Sequence, residues 1–168
     1  FDDPGTYHLY FGDKGGKPGT VITFFPWNNA RKGEIGGGQV GVTTYAVPTG
    51  ALSFWEKRLG KFNIPFTKDS RFSETYLRFT DYHGLILEIV EREDGEKTEW
   101  TYGEVTPNVG IKGFGGAILF STDPHETILT VQEVMGLEKV GEENDMIRFR
   151  SSADIHRSHR RCSGCRRS

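Results

Sequence analysis

An internal repeat constrains this chain more than any other feature: one order of strand, helix and strands occurs and then begins again. Gln39 to Val47 is rich in Val, Thr and Tyr and reads as a strand, which Pro48 stops. From Thr49 to Phe62, the residues Leu52, Trp55 and Leu59 share one helical face, with Phe54 and Phe62 beside it and Thr49 placed as the N-cap. Phe66 to Phe72, Glu74 to Phe79 and Leu85 to Glu91 follow as strands, the last two joined by the tight turn Asp81–Gly84. A charged stretch from Glu91 to Glu104 follows, closed by Pro107 and Gly110, and the order restarts. Phe114 to Ser121 is a strand, and Asp123 caps a helix with Pro124 in its first turn. Ile128, Val131 and Val134 face that helix's core and Gly136 ends it. Leu137 to Gly141 and Met146 to Arg150 are strands around the acidic turn Glu142–Asp145. Ahead of both units, Thr6 to Phe11 and Gly19 to Phe25 form a hairpin that looks like the closing half of a further unit.

The expected fold class is therefore α+β, with repeated βαβββ modules forming curved mixed sheets, incomplete at both ends. Residues 1–27 are expected to be the final hairpin of a first module and 37–92 a whole module. Residues 93–111 are expected as a linker, 112–155 as a module lacking its last strand, and 156–168 as a basic tail that is disordered or out of frame. Phe1-Asp2-Asp3-Pro4-Gly5 reads as a turn leading straight into a strand, as in the middle of a domain.

Charge narrows the function classes. Lys and Arg total 21 against 23 Asp and Glu, a net charge of −2, which argues against a general nucleic-acid binder. No apolar run reaches the ~20 residues that span a bilayer, and the opening residues are not expected to be a signal peptide. The two cysteines, Cys162 and Cys165, both lie in the basic tail, so no disulfide framework is expected and a cytoplasmic setting is the default.

Longer runs carry a resemblance. Asp2 to Asp13, Gly19 to Trp27, Phe62 to Thr67, Asp81 to Glu91 and Gly136 to Ile155 are similar to stretches of ring-cleaving dioxygenases of the hydroquinone class. That class sits in the vicinal oxygen chelate superfamily, with glyoxalase I, bleomycin-resistance proteins and extradiol dioxygenases. The resemblance implies a four-module architecture in full-length relatives and Fe(II), or another divalent metal, used to open an aromatic diol or hydroquinone. It also implies two histidines on the first strands of the first and last modules and one carboxylate on the last strand of the last module, set on one face of the metal, a mapping by which all three are expected outside this chain. At the positions matching the histidine-bearing strand this sequence has Gly41 and Gly116, which cannot ligate a metal. The expectation is that no catalytic, cofactor-binding or metal-ligating residue lies in this chain, and that by itself it is non-catalytic.

Three readings follow. The first is a truncated, non-catalytic remnant of a ring-cleaving dioxygenase. The second is a metal-free binding module of the bleomycin-resistance type, holding a small aromatic molecule in a cleft lined by Tyr45, Phe54, Tyr76 and Phe79. The third is a glyoxalase-like metalloprotein. Glu88 alternates with Leu87 and Ile89 on a last strand, the position of a ligand in single-module relatives, and another chain would complete the site. His8, His83 and His125 form no metal pair by spacing and read as structural or exposed. In the tail, His156, His159, Cys162 and Cys165 have zinc-like spacing but no apolar residue around them, and a one-base shift in codons permitted for His159 to Arg167 encodes a strand-like run instead. Strand edges left open by partial modules predict a homodimer, with strand exchange as a ready route.

Overall fold

A computed structural model describes residues 5–34 and 36–151. The elements are β1 (Leu9–Phe11), β2 (Ile22–Phe24), β3 (Gln39–Val47), α1 (Leu52–Lys61), β4 (Phe66–Arg71), β5 (Glu74–Thr80) and β6 (Ile86–Glu91). They continue as β7 (Gly113–Phe120), α2 (Pro124–Leu129), a π-helical turn (Thr130–Val134), β8 (Glu138–Glu143) and β9 (Met146–Arg150). The fold class is α+β with mixed sheets, and β3 and β9 have the bounds expected of them. The chain divides into two compact units, Phe1–Thr122 and Asp123–Ser168. Among the described residues no helix is long and apolar enough to cross a membrane.

In the first unit five strands lie in the order β4-β5-β6-β3-β7. β3 runs parallel to β6, which a hairpin cannot connect; α1 crosses over so that β4 lands at the far edge, and two hairpins walk back to β3. Alternation then sorts the faces. Val47, Leu77 and Ile89 point toward α1 and form a core with Ala51, Leu52 and Leu59, against which Trp55, Phe66 and Phe79 pack. Val42, Thr44, Ala46, Tyr76, Glu88 and Val90 occupy the opposite face and are also buried. β7 joins antiparallel on the other side of β3, with bulges at Val40/Val42 and Thr44/Tyr45. The opening hairpin forms as expected, Leu9 opposite Phe24 and Phe11 opposite Ile22, though each strand is only three residues long.

Two local expectations are corrected. Thr49 does not cap α1: Gly50 turns the chain with φ 86° and the N-cap is Ala51, which has no capping side chain. The Leu52 amide instead donates to Glu91 Oε1 at 2.9 Å, so the end of β6 supplies both the acceptor and the negative charge that a helix N-terminus favours. In the second unit Asp123 does cap α2, accepting from the Glu126 amide, and Gly136 ends the helical stretch with φ 69°. Val134, however, is 80% exposed while Val131 is buried. The helix widens to π geometry from Thr130, and the slower angular advance per residue carries Val134 off the face that Val131 occupies.

The charged stretch expected as a linker packs closely. Val109 lies against the α1 core and its carbonyl accepts from Trp55 Nε1 at 2.8 Å, and Val105 is buried. Lys112 Nζ donates to the carbonyls of Arg92, Glu93 and Asp94, fastening the start of β7 to the end of β6.

Candidate functional site

The face of the sheet away from α1 centres on Glu88. Its side chain is 0% exposed, and β6 delivers it there because Leu87 and Ile89 take the other face. Register places Thr44 of β3 on one side and Arg78 of β5 on the other. Thr44 Oγ1 donates to Oε2 at 3.0 Å, and Arg78 donates to Oε1 from Nε at 2.9 Å and from Nη2 at 2.6 Å. Arg71, at the end of β4, donates from Nη1 to Oε1 at 2.8 Å and from Nη2 to Oε2. Both guanidiniums lie over the buried Tyr76 ring, at 4.4 Å for Arg71 and 5.3 Å for Arg78, and the Tyr76 hydroxyl donates to Asp69 at 3.5 Å. Burial pushes the Glu88 carboxyl up, but the hydrogen bonds and charges of Arg71 and Arg78 outweigh it and hold the group below the ordinary glutamate range. Glu88 in turn holds Arg71 above its ordinary value.

These residues do not fit a metal ion. A carboxylate offers about four lone-pair sites, and Glu88 already receives donors from Arg71, Arg78 and Thr44, two of them cationic. Among the described residues no group of three or more His, Cys, Asp or Glu is placed to hold one. Gly41 and Gly116 differ from each other. A Cβ built at Gly41 would stand 2.1 Å from Phe120 Cε2, so the Phe120 ring fills the space a side chain there would use. A Cβ at Gly116, opposite Thr44, meets nothing within 4 Å.

The other candidates scatter. His8 Nδ1 shares a hydrogen bond of 2.7 Å with the Tyr10 hydroxyl, and its ring stacks on Phe25, which stacks on Trp27. His83 sits exposed in the turn held by Asp81, and His125 is exposed beside Glu126. The four aromatics proposed to line one cleft divide between the two sheet faces: Tyr76 lies under the arginines, while Phe79 packs with the α1 core. Tyr45 stacks on its cross-strand partner Phe114, and Phe54 on α1 meets Trp55 edge-on. They form no common cleft. The tail candidates His156, His159, Cys162 and Cys165 lie outside the described residues. Arg71 and Arg78 were not singled out from sequence. The Asp81–Gly84 turn fixes Thr80 opposite Ile86 and hence Arg78 opposite Glu88, a signal that was available; the diagonal reach of Arg71 was not.

No protein-family profile matches the chain. Two Bacillus subtilis proteins named as ring-cleaving dioxygenases align over 155 residues, 92% of this chain: MhqO at 66% identity and MhqE at 44%. A chlorohydroquinone/hydroquinone 1,2-dioxygenase of Sphingobium indicum is 38% identical over 112 residues, 64% of this chain and 35% of its own length. A crystal structure of a protein from Bacillus subtilis, described as a dioxygenase, superposes with a TM-score of 0.88 at 66% identity, over 92% of this chain and 50% of that one. The chain thus has close homologues that are named ring-cleaving dioxygenases, and it spans about half the length of the curated relatives it matches.

Proposed function

We propose that this chain supplies the metal-free scaffold of a ring-cleaving dioxygenase that opens an aromatic diol or hydroquinone, and that by itself it neither holds the iron nor turns over. The observation that carries the reading is the 66% identity with MhqO across 155 residues. The Glu88 cluster supports the second half, since the carboxylate best placed to serve as a ligand is committed to Arg71, Arg78 and Thr44. The same commitment weighs against a glyoxalase-like site completed by another chain. The division of Tyr45, Phe54, Tyr76 and Phe79 weighs against a metal-free aromatic cleft.

The test is iron content together with oxygen uptake on hydroquinone and catechol. The purified chain, reconstituted anaerobically with Fe(II), is expected to retain no stoichiometric iron after desalting and to consume oxygen at the buffer rate. Stoichiometric iron with turnover would overturn the proposal.

A further inference from the structure

A wholly buried carboxylate cannot keep its charge without compensation, because desolvating it costs several kcal/mol. Compensation can come from a cation or from protein donors. Here it comes from two guanidiniums, each over the Tyr76 ring, and from the Thr44 hydroxyl. The donors come from β3, β4 and β5, while the carboxylate belongs to β6. One side chain therefore joins all four strands of the repeat, including β3 and β4, which are not neighbours in the sheet.

We infer that Arg71 and Arg78 together occupy the electrostatic place of a divalent cation beside Glu88, making this face a metal-excluding clamp across β3, β4, β5 and β6. Two fixed positive charges repel an incoming ion, and the carboxylate's lone pairs are already used. The inference stands on these hydrogen bonds and does not depend on the proposed function.

The experiment uses the full chain, stripped with chelator and titrated with Mn(II), following the free-ion electron paramagnetic resonance signal and the melting temperature. Wild type is expected to bind no Mn(II) equivalent. E88Q is expected to melt lower by roughly 6–12 °C, equally in chelator and in Mn(II). A bound equivalent in wild type that E88Q removes overturns the inference. So does an E88Q melting temperature within about 2 °C of wild type. Should E88Q not fold, Glu88→Leu combined with Arg71→Met and Arg78→Leu replaces the cluster by apolar groups, an exchange that buried ion pairs tolerate. Loss of a bound Mn(II) equivalent in that variant overturns the inference, and absence of binding in both proteins supports it. Oxygen uptake does not enter, so failure here is distinguishable from failure of the proposed function.

Discussion

A single carbon added at Gly41 should change stability with a sign that depends on Phe120. The Cβ of Gly41→Ala would sit 2.1, 2.3 and 2.5 Å from Phe120 Cε2, Cδ2 and Cζ, where ordinary contact begins at 3.4 Å. The ring must therefore retreat by more than an ångström. Gly41 is buried at a bulge in β3, and Phe120 is half-buried, so the ring can yield only toward its open side. Overpacking of this kind costs about 1–3 kcal/mol. Gly41 does not have positive φ, so Ala fits its backbone and the less flexible unfolded chain returns about 0.4–1 kcal/mol. The net loss of ~1–2 kcal/mol lowers the melting temperature by roughly 2–8 °C. In a Phe120→Ala background the clash vanishes and only the favourable part remains, so G41A should then stabilise by about 0.4–1 kcal/mol. Urea unfolding of the four proteins measures this cycle. Effects of G41A that agree in the two backgrounds to within ~0.5 kcal/mol would refute the steric argument.

Three further outcomes follow from the same structure. The folded Glu88 carboxyl is held below its ordinary value, so its stabilisation is complete above the ordinary glutamate pKa and is lost as pH falls through the folded value. The wild type minus E88Q stability difference should thus be largest near neutrality and shrink below about pH 4; a difference that grows on acidification contradicts this sign. Glu91→Ala removes the acceptor for the Leu52 amide and should cost about 1 kcal/mol, seen as faster hydrogen exchange in the first turn of α1, whereas Thr49→Ala should leave that turn unchanged. β7 is an edge strand of eight residues without a charged side chain, and strand pairing there should give a homodimer; a monomeric mass by light scattering at micromolar concentration would count against it.

Much of the fold was legible because each strand announces itself locally. β3 is a β-branched run stopped by Pro48, and Asp123-Pro124 marks a helix start by capping chemistry. Where tertiary partners decide, the sequence was silent. The acceptor for the start of α1 comes from Glu91, 39 residues away, and nothing local distinguishes it from Thr49. The exposure of Val134 depends on a π widening that helical periodicity cannot anticipate. At the candidate site, strand alternation placed Glu88 opposite Leu87 and Ile89 correctly. Its meaning changed with Arg71, whose reach from the sheet edge depends on how β4 and β5 twist.

The pairing of β3 with β7 carries a broader consequence. These are the strands expected to open the two βαβββ units, and they run antiparallel with Thr44 opposite Gly116 and Thr43 opposite Ala117. Equivalent strands paired antiparallel define a local twofold axis, the symmetry by which two separate copies of a module would join edge to edge. Here both strands belong to one polypeptide, so an encounter that between separate chains would depend on concentration is intramolecular. Once symmetry is no longer enforced by identity, the two sides are free to diverge. The corresponding positions Gly41 and Gly116 already differ: a Cβ at the first would meet the Phe120 ring, and one at the second meets nothing within 4 Å.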